Sequence, residues 1–110
     1  MNVEQVGDIL VIKLPSRLDA VGVAAIENKL SEVTTNHKGK ALADMSGVDF
    51  VASLALRMLL TNLKAVQSMG GDLRLCGLQP QIADIFRKSR FDTLFTVYDD
   101  CETALKEYAA

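Results

Sequence analysis

The chain has no tryptophan, one histidine, two prolines and two cysteines in 110 residues. Each scarcity removes a class of function. The single histidine, His37, lies in the polar stretch Asn36-His37-Lys38-Gly39. It has no second histidine to build a triad with, and it reads as a solvated loop residue. Cys76 and Cys101 have neither metal-ligand spacing nor proximity along the chain. They are expected to be separate, buried or half-buried thiols. There is no basic excess: Lys and Arg number 12 against 14 Asp and Glu. No basic cluster interleaves with aromatics, which argues against nucleic acid. The longest apolar runs, such as Ile9–Ile12, are too short to cross a bilayer, so no membrane insertion is expected. The opening MNVEQVGD lacks the charged and long apolar segments of a signal peptide, and a cytoplasmic protein is expected. Gly70-Gly71 has neither the spacing nor the lysine of a phosphate loop. No serine sits in a G-x-S-x-G elbow. The acids Asp99-Asp100 stand at a helix start and read as partners of its dipole. The expectation is a protein that is not an enzyme and has no cofactor.

What is present is a well-stocked core. Hydrophobic residues make up 49% of the chain and charged residues 24%, the balance of a folded domain rather than a disordered one. One domain over residues 1–110 is expected. Met1–Val6 and the β-branched run Ile9–Leu14 flank the turn Gly7-Asp8 and predict a hairpin with the first strand at an edge. Asp19 is placed to cap a helix over Ala20–Thr34, with Val23, Ile26, Leu30 and Val33 inward and Glu27, Asn28, Lys29 and Glu32 outward. Lys40–Asp44 is a third strand. Gly70-Gly71 closes a second helix, and Leu73–Cys76 is a fourth strand. Pro80 opens a third helix with Ile82, Ile85 and Phe86 inward, and Arg87, Lys88 and Arg90 near its end. Leu94–Tyr98 is a fifth strand. Asp99 or Asp100 caps a last helix packing through Ala104, Leu105 and Tyr108. Alternating strands and helices predict a single-domain α/β fold: a mixed, mostly parallel sheet of about five strands, an antiparallel N-terminal edge hairpin and about four helices.

The stretch Asp44–Ser68 organises the rest. A short buried strand ends at Asp44, a loop follows, and a helix opens at Ser53. Leu56, Leu59, Leu60, Leu63 and Val66 recur at helical spacing, with Arg57, Thr61, Asn62 and Lys64 mostly on other faces. Val48, Phe50 and Val51 are expected to pack on the core. Ser53 is a natural N-cap. Its neighbourhood of unpaired N–H groups also suits a phosphate. Cap and switch are both open from position alone.

Three motifs carry a resemblance. The first, Leu14-Pro15-Ser16-Arg17-Leu18-Asp19, is similar to an L-x-G-x-L-D segment, with Ser16 where glycine is usual. The second runs from Asp44 to Leu56 and is similar to D-x-S-x-V-x-F-x-D-S-[ST]-G-L, matching at Asp44, Ser46, Val48, Phe50, Ser53 and Leu56. The third, GGDLRLCGLQPQIADIF, matches G-G-x-L-x-L-x-x-x-x-P-x-[VI]-x-x-x-F at Gly70, Gly71, Leu73, Leu75, Pro80, Ile82 and Phe86. Together they resemble the STAS domain of anti-sigma factor antagonists over essentially the whole chain. The resemblance implies that Ser53 accepts phosphate from a partner kinase. It also implies that the unphosphorylated protein binds an anti-sigma factor, itself a serine kinase, and frees a sigma factor; a phosphatase can reset the switch. Asp19, Asp49, Ser53 and Arg57 are the candidate contact residues. Ala52, Leu54 and Ala55 replace the aspartate, second hydroxyl residue and glycine of the box. The missing aspartate and glycine motivate an alternative, a non-switching STAS scaffold within a signalling or membrane transporter complex. A small-ligand binder using the crevice at the strand ends is a third reading. The sequence leaves the oligomeric state open between monomer and weak dimer.

Overall fold

A computed structural model describes residues 1–109. Strand β1 (Asn2–Val6) turns at Gly7, whose φ is 60°, into β2 (Ile9–Lys13). The strand β4 (Lys40–Asp44) pairs in parallel with β2, and β6 (Asp72–Cys76) pairs in parallel with β4. The strand β7 (Val97–Tyr98) completes a five-stranded sheet in the order β1-β2-β4-β6-β7, with β1 alone antiparallel. The register aligns Ile12, Ala43 and Leu75 across the centre, each at most 1% exposed.

Two helices cover this face of the sheet. Helix α1 (Ala20–His37) buries Val23, Ile26 and Leu30. Helix α2 (Ser53–Ser68) buries Leu56, Leu59, Leu63 and Val66. Strand alternation sends Ile9, Leu42 and Cys76 to the opposite face, where α4 (Cys101–Ala109) covers them with Ala104 and Tyr108. Helix α3 (Pro80–Lys88) turns Phe86 edge-on toward Phe91 and Phe95, at centroid distances of 6.3 and 6.4 Å. The expected architecture is present.

Several local expectations are corrected. Helix α1 runs to His37 and ends at Lys38, which takes a left-handed conformation. His37 is therefore a half-buried helix-end residue, with Nε2 3.1 Å from the Asp8 carbonyl. Asn62 is buried, not on an outer face: its Oδ1 accepts from the Thr34 hydroxyl at 3.0 Å and its Nδ2 donates to the Met58 carbonyl at 2.9 Å. Ile85 and Phe50 lie at the surface, at 36% and 40% exposure. The last strand keeps only Val97–Tyr98, because Phe91–Thr93 forms a 3₁₀ turn that drives Phe95 into the core. The cap of α4 is Asp100, which accepts from the Thr103 N–H at 2.7 Å and its hydroxyl at 3.0 Å.

The cysteines differ most from expectation. Cys76 and Cys101 are joined in a disulfide, with Cα atoms 5.0 Å apart. Pairing of Cys76 with Tyr98 brings the chain back beside the end of β6, and α4 begins just beyond. Separation along the chain hid this contact.

Gly22 also reads differently in place. Helix propensity alone makes it a weak point by about 1 kcal/mol against Ala. A Cβ there would lie 2.1 Å from the Arg17 carbonyl oxygen, so the close approach needs glycine. Gly22→Ala should therefore lower stability, by about 1–3 kcal/mol as for other overpacked sites, measured by denaturant unfolding; a gain would refute the close approach. At the opposite pole the Tyr108 hydroxyl donates to the Asp72 carbonyl at 2.9 Å. Burial, with the Asp72 charge adding to it, pushes this phenol up to about 12. A raised folded pKa means the contribution to stability is intact below the ordinary tyrosine value near 10 and is lost as pH climbs through about 12. Alkaline titration followed by phenolate absorbance should show a tyrosine ionising in that late window, and Tyr108→Phe should abolish it.

Candidate functional site

The loops before α1 and before α2 are held together by a second, two-stranded sheet. The strand β3 (Arg17–Leu18) runs parallel to β5 (Phe50–Val51), in the register Arg17↔Phe50 and Leu18↔Val51. Flanking hydrogen bonds extend it: the Asp49 N–H donates to the Ser16 carbonyl and the Ala52 N–H to the Leu18 carbonyl, both at 2.9 Å. Leu18 and Val51 point into the core. Arg17 and Phe50 point out, the guanidinium 4.7 Å from the ring centroid, within range of a cation–π contact.

This small sheet places the four candidate residues. Asp19 follows β3 directly and caps α1, its Oδ1 accepting from the Gly22 N–H at 2.8 Å. Arg17 Nε approaches Oδ2 at 3.4 Å. The Gly22 N–H, and then Arg17, hold the carboxyl below its usual range against the opposing effect of desolvation. Continuing the register puts Asp19 beside Ala52, one residue from Ser53. Asp49 is exposed and sits at the other end of β5, tied through its N–H to Ser16. Arg57 is exposed one turn beyond Ser53, at the i+4 spacing that shares a helix face. It lines a groove of about 250 Å³ between α1 and α2, with Glu27, Leu54 and Asn62 among the other walls. Asp19, Ser53 and Arg57 therefore share one rim, and Asp49 lies at its far edge.

Ser53 is not the N-cap. Ala52 holds that position, with extended backbone and no side-chain hydrogen bond, and Ser53 is the first helical residue. Its side chain is exposed. Among the described residues its hydroxyl makes no hydrogen bond, and the first turn of α2 carries no acid. The amides that open any helix lack intrahelical acceptors, so an anion on Ser53 meets the positive end of a 16-residue helix.

The sequence reading missed the apolar part of this rim. Val21 is 79% exposed, and Leu54 is 42% exposed directly beside Ser53. With Phe50, 40% exposed in the strand β5 that leads into α2, they are the exposed large apolar residues of the segments that open the two helices. The signal was available at Leu54, an apolar residue in the first turn of a helix where the box has a hydroxyl. Elsewhere, Asp44 and the two cysteines place their ligand atoms within 4.8 Å of one another, but the sulfurs are bonded to each other and leave no ligand set for a metal.

The model of the STAS domain family matches residues 1–104. This chain belongs to the STAS domain family. Among its relatives, a Bordetella bronchiseptica protein named as an anti-sigma factor antagonist, BtrV, is 23% identical over 104 residues, covering 94% of this chain and 90% of that one. An anti-sigma-factor antagonist (STAS) domain protein from Planctomyces limnophilus superposes with a TM-score of 0.92 at 23% identity, over 99% of this chain and 97% of the other. The Bacillus cell fate determinant SpoIIAA, solved in its phosphorylated form, gives 0.74 at 19% identity over 97% of each chain. The STAS fold is therefore shared throughout. No helix of the described residues is long and apolar enough to cross a membrane.

The cap at Asp19 can be tested directly. Because its folded pKa lies below the ordinary value near 4, its contribution is present above that value and lost as pH falls through the lowered one. Asp19→Ala should lower Tm near neutral pH. The gap between mutant and parent should narrow in thermal melts run at progressively more acid pH. An equal gap across the whole range would show that the carboxylate does not act as the cap.

Proposed function

We propose that this STAS domain is an anti-sigma factor antagonist that works by binding, switched by phosphorylation of Ser53. The observation that carries the reading is the exposed, unpartnered Ser53 hydroxyl on the first turn of α2. Its partner is an anti-sigma factor that is also a serine kinase and brings its own ATP. Sequestration of that partner frees a sigma factor, and a phosphatase restores the hydroxyl. The protein itself needs no cofactor. A relative named as an anti-sigma factor antagonist and the phosphorylated form known for SpoIIAA support this reading.

The energetics favour switching without unfolding. A phosphate adds about −1.5 to −2 charges. The protein accommodates it, because the start of α2 is positive and Arg57 lies one turn away. The partner does not. A surface that packs on Val21, Phe50 and Leu54 would have to desolvate the dianion. A loss of about 3 kcal/mol weakens binding more than a hundredfold.

A second reading has its own observation. Leu54 and Ala55 make the box more apolar, and Leu54 is exposed. A non-switching scaffold would dock through this same rim and ignore the hydroxyl.

Incubation with the cognate kinase and ATP should place one phosphate on Ser53 by mass spectrometry, and Ser53→Ala should take none. Phosphate found only elsewhere would refute the acceptor. In titrations with the partner, Ser53→Asp should bind at least tenfold more weakly than Ser53→Ala; equal affinities favour the scaffold. Leu54→Asp should weaken binding under both readings. Tm should stay close to the parent's, as for other surface substitutions.

A further inference from the structure

The Cys76–Cys101 disulfide has no part in the reading above, yet it lies at a junction of the fold. Cys76 ends β6 and is fully buried, while Cys101 opens α4 and is half-buried. The bond therefore ties the first turn of α4 to the end of β6. The same place anchors the turn that leaves β4. The Met45 N–H donates to the Cys76 carbonyl at 3.0 Å. Asp44 Oδ1 accepts from the Ser46 N–H at 2.9 Å and from its hydroxyl at 2.7 Å. A Cβ on Gly77 would meet the Ser46 Cβ at 3.2 Å and Cys101 Sγ at 3.3 Å, so Ser46, Gly77 and Cys101 form one close-packed contact. The Gln79 side-chain amide donates to the Ser46 carbonyl at 3.0 Å and closes the turn from the other side.

We propose that Cys76 and Cys101 form a redox-reversible site, opened by a dithiol reductant, whose state sets how firmly α4 and the Asp44–Ser46 turn are held. Accessibility fixes the direction of attack. A reductant thiolate reaches Cys101 Sγ, forms a mixed disulfide with it, and expels Cys76 as a thiolate that takes up a proton. The reductant's second thiol then attacks the mixed disulfide and releases Cys101, also protonated. In total the protein gains two electrons and two protons, and the reductant leaves as a disulfide. An oxidant of the glutathione disulfide class reverses the exchange. Opening the bond frees the first turn of α4 from β6 and lets Cys101 Sγ, which packs beside Ser46 against Gly77, move away from the Asp44–Ser46 turn. The core beneath α1 and α2 has its own packing and does not depend on the bond.

The oxidised and reduced full chains provide the test. With excess oxidised glutathione the protein should carry an internal disulfide and no thiol open to iodoacetamide. Dithiothreitol should return two alkylatable thiols without unfolding. The bond closes a sequence separation of 25 residues, so oxidation should raise Tm by about 10–15 °C. Amide exchange in the reduced form should rise at Asp44–Val48 and Asp100–Ala109 and stay unchanged across Ile26–Val33. Cys101→Ala, or Cys101→Ser if the first does not fold, should match the reduced parent in either buffer. A protein that remains a dithiol in oxidised glutathione, or takes up only mixed glutathione disulfides, would overturn the proposal. So would equal Tm and exchange in the two states. None of these outcomes bears on Ser53.

Discussion

The geometry of the candidate site depends on a pairing of two residues with two. Without the contact between Arg17–Leu18 and Phe50–Val51, the segments before α1 and α2 would be independent loops. Asp19 would then have no fixed relation to Ser53. The pairing is short, yet both inward side chains are buried, Leu18 at 0% and Val51 at 7% exposure. Burial of two such side chains contributes on the order of 1.5–3 kcal/mol each, more than the strand hydrogen bonds themselves supply. The outward partners, Arg17 and Phe50, are left free to face another protein. One small element thus joins the core, the α1 cap and the surface around the serine.

The large features of the fold were legible because each follows from a local rule. The Gly7 turn, the stripe Leu56, Leu59, Leu63 and Val66, the Gly70 turn and Pro80 all behave as their chemistry dictates. The features that escaped are those in which distant segments supply the partner. Nothing near Asn62 announces that its amide pairs with Thr34, 28 residues away. Two-residue strands such as β3 and β5 are too short for alternation to register, and their pairing exists only once the main sheet has set their separation. The disulfide is the same case: Cys76 and Cys101 meet because β7 returns beside β6.

The site was legible to a similar depth. Ser53 is singled out in the sequence by its place at a helix start and by motif; the structure keeps it in the first turn of α2 but gives the cap position to Ala52. The apolar rim was not found. Exposed Val21 looks, in sequence, like a further member of the core stripe of α1. Only the orientation of the first helical turns separates a residue that packs inward from one that stays exposed.

The displacement of the cap also bears on how a phosphate would act. Ala at the N-cap forgoes about 1 kcal/mol relative to Ser, Asp or Asn, so the start of α2 is intrinsically weak. The helix persists because Leu56, Leu59, Leu63 and Val66 hold it to the sheet, and packing outweighs local propensity in helices of this length. An aspartate at position 52 would engage the first amides and place a negative charge beside any phosphate on Ser53. With Ala52 there is no such competitor. A phosphate at this position would therefore meet amides unclaimed by a side chain and a positive helix end, and could supply the cap that Ala52 lacks. The replacement that weakens the motif's match to the family pattern is thus also the one that leaves the helix start most receptive to an anion.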